Sequence, residues 1–209
     1  MDIYSQVEKK YGFTFPPSYR SFIDRGYLTH SGDKYLSVHE AEWLPPNQML
    51  ENGGFWGKPK AGLVAFAFTG GRDLWAWQTQ RVADLGEPAI VHCPRDSFEG
   101  WWHAPSFLGW LYRMSLEYAW MMWDDEAESK INLRRWAAVL REFEKPLWAD
   151  DVESIATREA AFREPTHAKH GSASLLSHAE VNDRIFAAGP GFIDAPYVWD
   201  VDGESNEAS

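Results

Sequence analysis

The chain is nearly devoid of cysteine: Cys93 is alone among 209 residues. No internal disulfide can form, and a single thiol suits a reducing compartment. Positive charge is also scarce. Lys and Arg number 20 against 31 Asp and Glu, for a net charge of -11. A surface that tracks phosphates needs the opposite balance, so direct nucleic-acid binding is not expected. The first residues, "MDIYSQVEKKYGF", hold no apolar central run, and Lys9 and Lys10 stand on the wrong side of any candidate leader. Long hydrophobic runs are missing too. The most apolar stretch, "FLGWLYRMSLEYAWMMW", is broken by Arg113 and Glu117 and is too short to span a bilayer. These absences lead us to expect a soluble, cytoplasmic protein with no membrane partner. The phosphate-loop patterns G-x-x-x-x-G-K-[ST] and G-x-G-x-x-G do not occur, and the glycines of "NGGFWG" and "TGGRD" read as turns.

What the chain has in abundance is tryptophan, with 12 copies. Large aromatics mostly fill cores, and a minority anchor interfaces. A chain of this length buries roughly 70–75% of its unfolded surface and needs neither metal nor disulfide to fold. It suits one domain, or one domain with an extension.

Periodicity places the elements. "DIYSQVEKKYGF" predicts a helix through Ile3, Val7 and Tyr11, stopped at Gly12. In "FTFPPSYRSFIDRGYL", Pro16 forces Phe15 to be extended, and Pro17 suits a first helical turn whose buried stripe is Tyr19, Phe22 and Ile23. "KYLSVHE" reads as a short strand, and "AEWLPPNQMLENGGFWGKPKAG" as a Pro- and Gly-rich loop. "LVAFAF" and "LWAWQTQ" flank "TGGRD" as a hairpin. Val64, Phe66 and Phe68 are expected on one face, with Ala65 and Ala67 on a face open to close packing. "EPAIVHCP" is a further strand.

From Ser106 the period changes to helical. One helix carries Phe107, Leu111, Met114, Tyr118 and Met121. A second carries Leu133, Trp136, Ala137, Leu140 and Phe143, ending at Pro146. A third starts at a capping box of Asp150 and Glu153, and a fourth at Ser177 and Glu180. "THAKHGSAS" reads as a linker, and the acidic end "DVDGESNEAS" as a disordered tail.

Three of these features occur in an order that resembles the SUKH superfamily, the Smi/Knr-like proteins. The first is the helix followed by "FPPSYRSFI", with Phe15, Pro16, Pro17 and Tyr19 at the positions of the family's helix start. The second is "LVAFAFTGGRDLWAWQ", in which Gly71 and Asp73 stand near the family's Gly and Asp, with Arg72 between them. The third is "AIVHCP" followed by "SFLGWL". The likeness covers about residues 1–120. It implies an α+β fold with one mostly antiparallel sheet flanked by helices, here with a C-terminal helical extension. We therefore expect a SUKH-like domain over residues 1–123, a helical extension packed on it over 124–196, and an acidic tail over 197–209. The likeness also implies a function in bacterial competition. Bacterial members resemble immunity proteins that bind and neutralise toxins, many of them nucleases or deaminases. The expected partner is a cognate toxin, basic in character, occluded stoichiometrically. The alternative is an intracellular scaffold or regulatory module with a partner that is no toxin, like the family's eukaryotic members.

An enzyme reading finds no constellation. His92 and Cys93 are adjacent on a strand, which points them to opposite faces. His167 and His170 have helical metal-ligand spacing, but lie in the linker-like segment. No catalytic residue, metal ligand or cofactor is nominated. A binding surface has more support. Acidic residues gather at Glu40 and Glu42, at Asp73, at Asp96 and Glu99 beside Trp101 and Trp102, and at Asp124, Asp125 and Glu126. Acids beside exposed aromatics are what a basic protein partner would engage. Gly100 precedes the two tryptophans in a stretch that reads as a turn, so at least one is expected to be partly exposed.

Overall fold

The computed structural model describes residues 1–28, 36, 38, 41–55, 60, 62–82, 86–97, 99–121, 125–162, 173–192 and 195–198. In chain order the elements are α1 (Ile3–Tyr11), α2 (Pro17–Asp24), β1 (Glu42–Trp43), α3 (Pro46–Asn52), β2 (Leu63–Phe68), β3 (Leu74–Val82), β4 (Pro88–Cys93), β5 (Glu99–Ala104), α4 (Phe107–Met121), α5 (Glu126–Glu142), α6 (Pro146–Ile155), β6 (Ala161–Phe162), β7 (Ala173–Ser174), α7 (His178–Ala188) and β8 (Pro196–Val198). The class is α+β, as expected. The chain forms two compact units. One comprises Met1–Tyr35, Glu40–Phe107 and Gly191–Ser209, and the other Leu36–His39 and Leu108–Pro190.

The first unit is built on an antiparallel sheet in the order β1-β2-β3-β4-β5-β8. Its helical layer begins with the "YGFTFPPSYRSFI" segment. Asp2 caps α1 by accepting from the Ser5 backbone N–H, and Gly12 ends it at φ 66°, a left-handed conformation that glycine adopts without strain. Pro17 opens α2 in the position where a missing N–H costs nothing. Glu8 ties the two helices together. Its carboxylate accepts from the Phe15 backbone N–H at 2.9 Å and from the Arg20 guanidinium at 3.0 Å. The connection between the two helices supplies buried Phe13 and Phe15, and the buried face of α2 supplies Tyr19 and Phe22. These pack with Trp43, Phe66, Trp77 and Phe107 as one aromatic core, with Phe66 and Tyr19 at 4.4 and 4.7 Å from Trp77 between ring centroids.

The β2–β3 hairpin forms as expected, but its alternation does not persist. A bulge falls between Ala65 and Ala67, so Val64 opposes Trp77 and Ala67 opposes Trp75 on the same face. Close packing does occur at Ala65, whose N–H donates to the Gly53 carbonyl at 2.7 Å just past α3. A Cβ on Gly54 would stand 2.9 Å from both the Ala65 Cβ and its carbonyl oxygen. The Pro- and Gly-rich stretch is therefore not all loop. Pro46 begins α3 as a first-turn proline, and Gly53, at φ 68°, ends it. Five of the described strands went unread: β1 lies in the stretch read as loop, β6 at the end of the stretch read as the third helix, β7 at the end of the expected linker, and β5 and β8 are the other two. "EGWWHA" is β5 rather than a turn, and Pro196–Val198 pairs with it as β8.

In the second unit, α6 begins at Pro146, one turn earlier than the sequence suggests. Asp150 and Glu153 do not cap it. Both accept from Arg141 of α5 at 2.7 Å. The other expected box is present: Ser177 and Glu180 each accept from the other's backbone N–H. Asp151 joins α4, α6 and α7, accepting from the Tyr112 hydroxyl at 2.8 Å and from Arg184 Nε at 3.2 Å. Burial and this carboxylate together push the Tyr112 hydroxyl well above its usual range. Most of the "KYLSVHE" strand and most of the "THAKHGSAS" segment lie outside the described residues, but the last two residues of that segment, Ala173 and Ser174, form β7 against β6 instead of a linker. Of the expected tail over 197–209, Tyr197 and Val198 belong to β8, and the rest lies outside the described residues.

Candidate protein-interaction surface

Cross-strand register organises one face of the sheet. Trp75 of β3 opposes His92 of β4, and His92 opposes Trp101 of β5. Side chains opposite each other in a sheet share a face, so these three form a row across it. The rings touch in sequence, with centroids 5.3 Å apart for Trp75 and His92 and 4.7 Å for His92 and Trp101. Burial falls along the row. Trp75 is 5% exposed, whereas Trp101 is 37% exposed. Pro196 continues the row onto the edge strand β8 and is exposed.

Gly100 makes this placement possible. A Cβ there would lie 2.1 Å from the His92 carbonyl oxygen, so no side chain fits between β4 and β5 at that point. Glu99 is exposed two residues from Trp101 on the same strand, and period 2 puts both on one face. Two turns meet beside them at the same end of the sheet. In the β2–β3 turn the Asp73 N–H donates to the Thr69 hydroxyl at 3.0 Å, and Asp73 Oδ1 accepts from the Arg95 backbone N–H of the β4–β5 turn at 2.9 Å. Arg72 takes φ 72°, a left-handed conformation rare for a residue with a side chain. That is the position at which Arg72 separates the glycines from Asp73 in the sequence. Arg95 Nε stands 3.7 Å from Asp96, an exposed and loose pair.

The structure thus brings together Asp73, Asp96, Glu99 and Trp101 of the candidate residues. Trp102 is half-buried, opposes Val91 and faces the other side of the sheet from Trp101. Glu42 sits at the same end but on β1, four strands from β5. Asp125 and Glu126 belong to the second unit and have local partners. Asp125 caps α5 through the Glu128 N–H, and Glu126 pairs with Lys130. Glu40 and Asp124 lie outside the described residues. His92 and Pro196 were missed as surface candidates. Their place depends on strand register, which no local pattern encodes.

The thiol of Cys93 is 1% exposed, and burial pushes it up to about 12. It is protonated at neutral pH and out of reach of solvent, the reverse of an activated nucleophile. His167 and His170 lie outside the described residues. Among the described residues, no three His, Cys, Asp or Glu side chains are grouped as metal ligands would be. No helix among them is long and apolar enough to cross a membrane.

The profile of the SMI1 / KNR4 family (SUKH-1) matches residues 2–113, more than half of the chain. The chain belongs to the SMI1 / KNR4 family. No curated protein and no solved structure matches it. SUKH-1 is known as an immunity-type domain and in general as a non-enzymatic fold. The SUKH-1 match runs from α1 into α4 and takes in Glu99, Trp101 and both turns. Helices α5 to α7 and strand β8 lie outside it.

Proposed function

We propose that this chain is a cytoplasmic immunity protein that neutralises a cognate bacterial toxin by binding it stoichiometrically and covering its active site or substrate groove. One observation carries the reading beyond the family. A large aromatic, Trp101, is left 37% exposed on a sheet face whose other tryptophans are buried, with the exposed carboxylate of Glu99 on the same strand. An exposed aromatic beside acids is a partner surface in composition. The net charge of -11 favours a basic partner such as a nuclease, steered in by long-range attraction.

The test is to purify the chain with the product of a toxin gene encoded beside its own. We expect a one-to-one complex, loss of toxin activity in proportion to added protein, and loss of both in Trp101→Ala. A neighbouring toxin that neither binds nor is neutralised overturns the reading. A stable complex with an intracellular protein that has no toxic activity replaces it with the scaffold alternative.

A further inference from the structure

The described residues include a complete example of arginine recognition. The Arg20 guanidinium lies 5.3 Å from the ring centroids of both Tyr4 and Phe15, and it pairs with Asp2 and Glu8 at 3.3 and 3.0 Å. Aromatic rings hold the cation's flat face while carboxylates take its N–H groups. The Glu99–Trp101 strip has the same two kinds of group without the cation. Its ring is 37% exposed, with His92 its ring contact among the described residues. The exposed Glu99 carboxylate has no hydrogen bond or ion pair among the described residues.

Arg95 is the nearest candidate in sequence, and it is directed elsewhere. Its backbone is fixed to Asp73 and its Nε is turned to Asp96. Positions i and i+2 of a strand lie about 6.6–6.8 Å apart, a span that one guanidinium bridges while stacked on a ring.

We propose that the Glu99–Trp101 face of β5 is a slot for an arginine side chain of the partner, with the guanidinium stacked on the Trp101 indole and ion-paired to Glu99. Arginine suits it better than lysine because a planar cation both stacks and offers paired N–H donors to one carboxylate. The inference rests on the reading of a basic protein partner, but the slot is testable without that partner.

The full chain, labelled with 15N, is titrated with tri-arginine amide at about 0.15 M salt, where nonspecific attraction is screened beyond roughly 8 Å. Tri-lysine and tri-citrulline amides serve as controls, and the Trp101 indole resonance is identified by its absence from Trp101→Leu. The expected result is a saturable shift of that resonance with tri-arginine and none with tri-citrulline. Tri-lysine should bind about two- to fivefold more weakly. Glu99→Gln should weaken tri-arginine binding by at least about twofold, and Glu99→Asp, which keeps the charge, by less than Glu99→Gln. Absence of a saturable shift overturns the slot, as does an equal shift in Glu99→Gln with an unchanged unfolding midpoint. Failure here and failure of the toxin reading are separable. Toxin neutralisation that survives in Trp101→Leu removes the slot and leaves the immunity function. Saturable arginine binding with no toxin neutralised leaves the slot and removes the toxin.

Discussion

Trp77 and Trp101 stand on the same face of one sheet, and their surroundings differ at every point. Trp77, on the central strand β3, is fully buried under the aromatic helices, against Phe13, Phe15, Tyr19 and Phe66. Its indole N–H has no hydrogen-bond partner among the described residues. An unmet donor costs about 1–3 kcal/mol. Burying an indole of about 200 Å² returns roughly 5 kcal/mol at 25 cal/mol per Å². Packing therefore outweighs the unmet polar group, and the position belongs to the fold. Trp101, two strands away, keeps part of that same apolar surface in water. The fold gains less from this position than from Trp77, and a partner that covers it gains the remainder.

Substituting both sites should break the symmetry between them, and this is the largest effect we expect. Trp77→Ala removes about 3–5 kcal/mol of stability, read as the urea midpoint of the free protein. Trp101→Ala should cost the free protein less, about 1–3 kcal/mol for the part of the indole that is buried, and cost a partner complex about 2 kcal/mol more, mainly through faster dissociation. Equal losses of stability at the two sites would make Trp101 a core residue and remove the surface argument.

Gly100→Ala probes how that contrast is built. The new methyl would meet the His92 carbonyl oxygen, which is backbone and cannot rotate aside. The strands β4 and β5 must separate, at a cost of about 1–3 kcal/mol. The Trp101 indole resonance should move even though Trp101 itself is unchanged. An unaltered urea midpoint would show that the two strands are not held this closely.

The next effect is kinetic. Reversing charge at Asp96 and Glu99 together should slow association with a basic partner by several-fold at low salt, and the loss should shrink as salt rises past about 0.15 M. Dissociation should change less. Salt-independent association would remove steering from the mechanism.

How far the contrast could be read in advance follows from where the information resides. Helix α1, the Pro17 start of α2, the β2–β3 hairpin and the box at Ser177 and Glu180 depend on residues within about four positions of one another, and the sequence pattern placed them all. Trp101 was singled out because it follows a glycine among acids, a local cue. The reason given, a turn, was wrong: Gly100 is a strand residue forced by the His92 carbonyl, and that proximity depends on register. The same blindness hid β8, which is about a hundred residues from its partner β5, and the row that joins Trp75, His92 and Trp101. Asp150 and Glu153 show the converse error. A local pattern read as a cap was put to use by Arg141 of another helix.

The smallest effect lies in the second unit, where electrostatics hold structure together instead of waiting for a partner. Glu180 accepts from the Ser177 backbone N–H and from the Arg158 guanidinium, and these bonds lower its carboxyl from 4.5 to about 2. A carboxyl lowered on folding stabilises the native state above its unfolded pKa. That contribution is lost as pH falls through the folded value. Here the window runs from 4.5 down to about 2. The pair is 37% and 40% exposed, so solvent screening holds its worth to about 1 kcal/mol or less. Glu180→Gln keeps an acceptor for the cap but gives up the charge. The variant should be less stable than the parent by a constant amount above about pH 5, and the gap should narrow as pH falls below 4.5. Urea midpoints of the two proteins, measured side by side from neutral pH downward, cancel the titration of every other acid. A gap that widens with acid would mean that the carboxylate is not held by the groups that surround it.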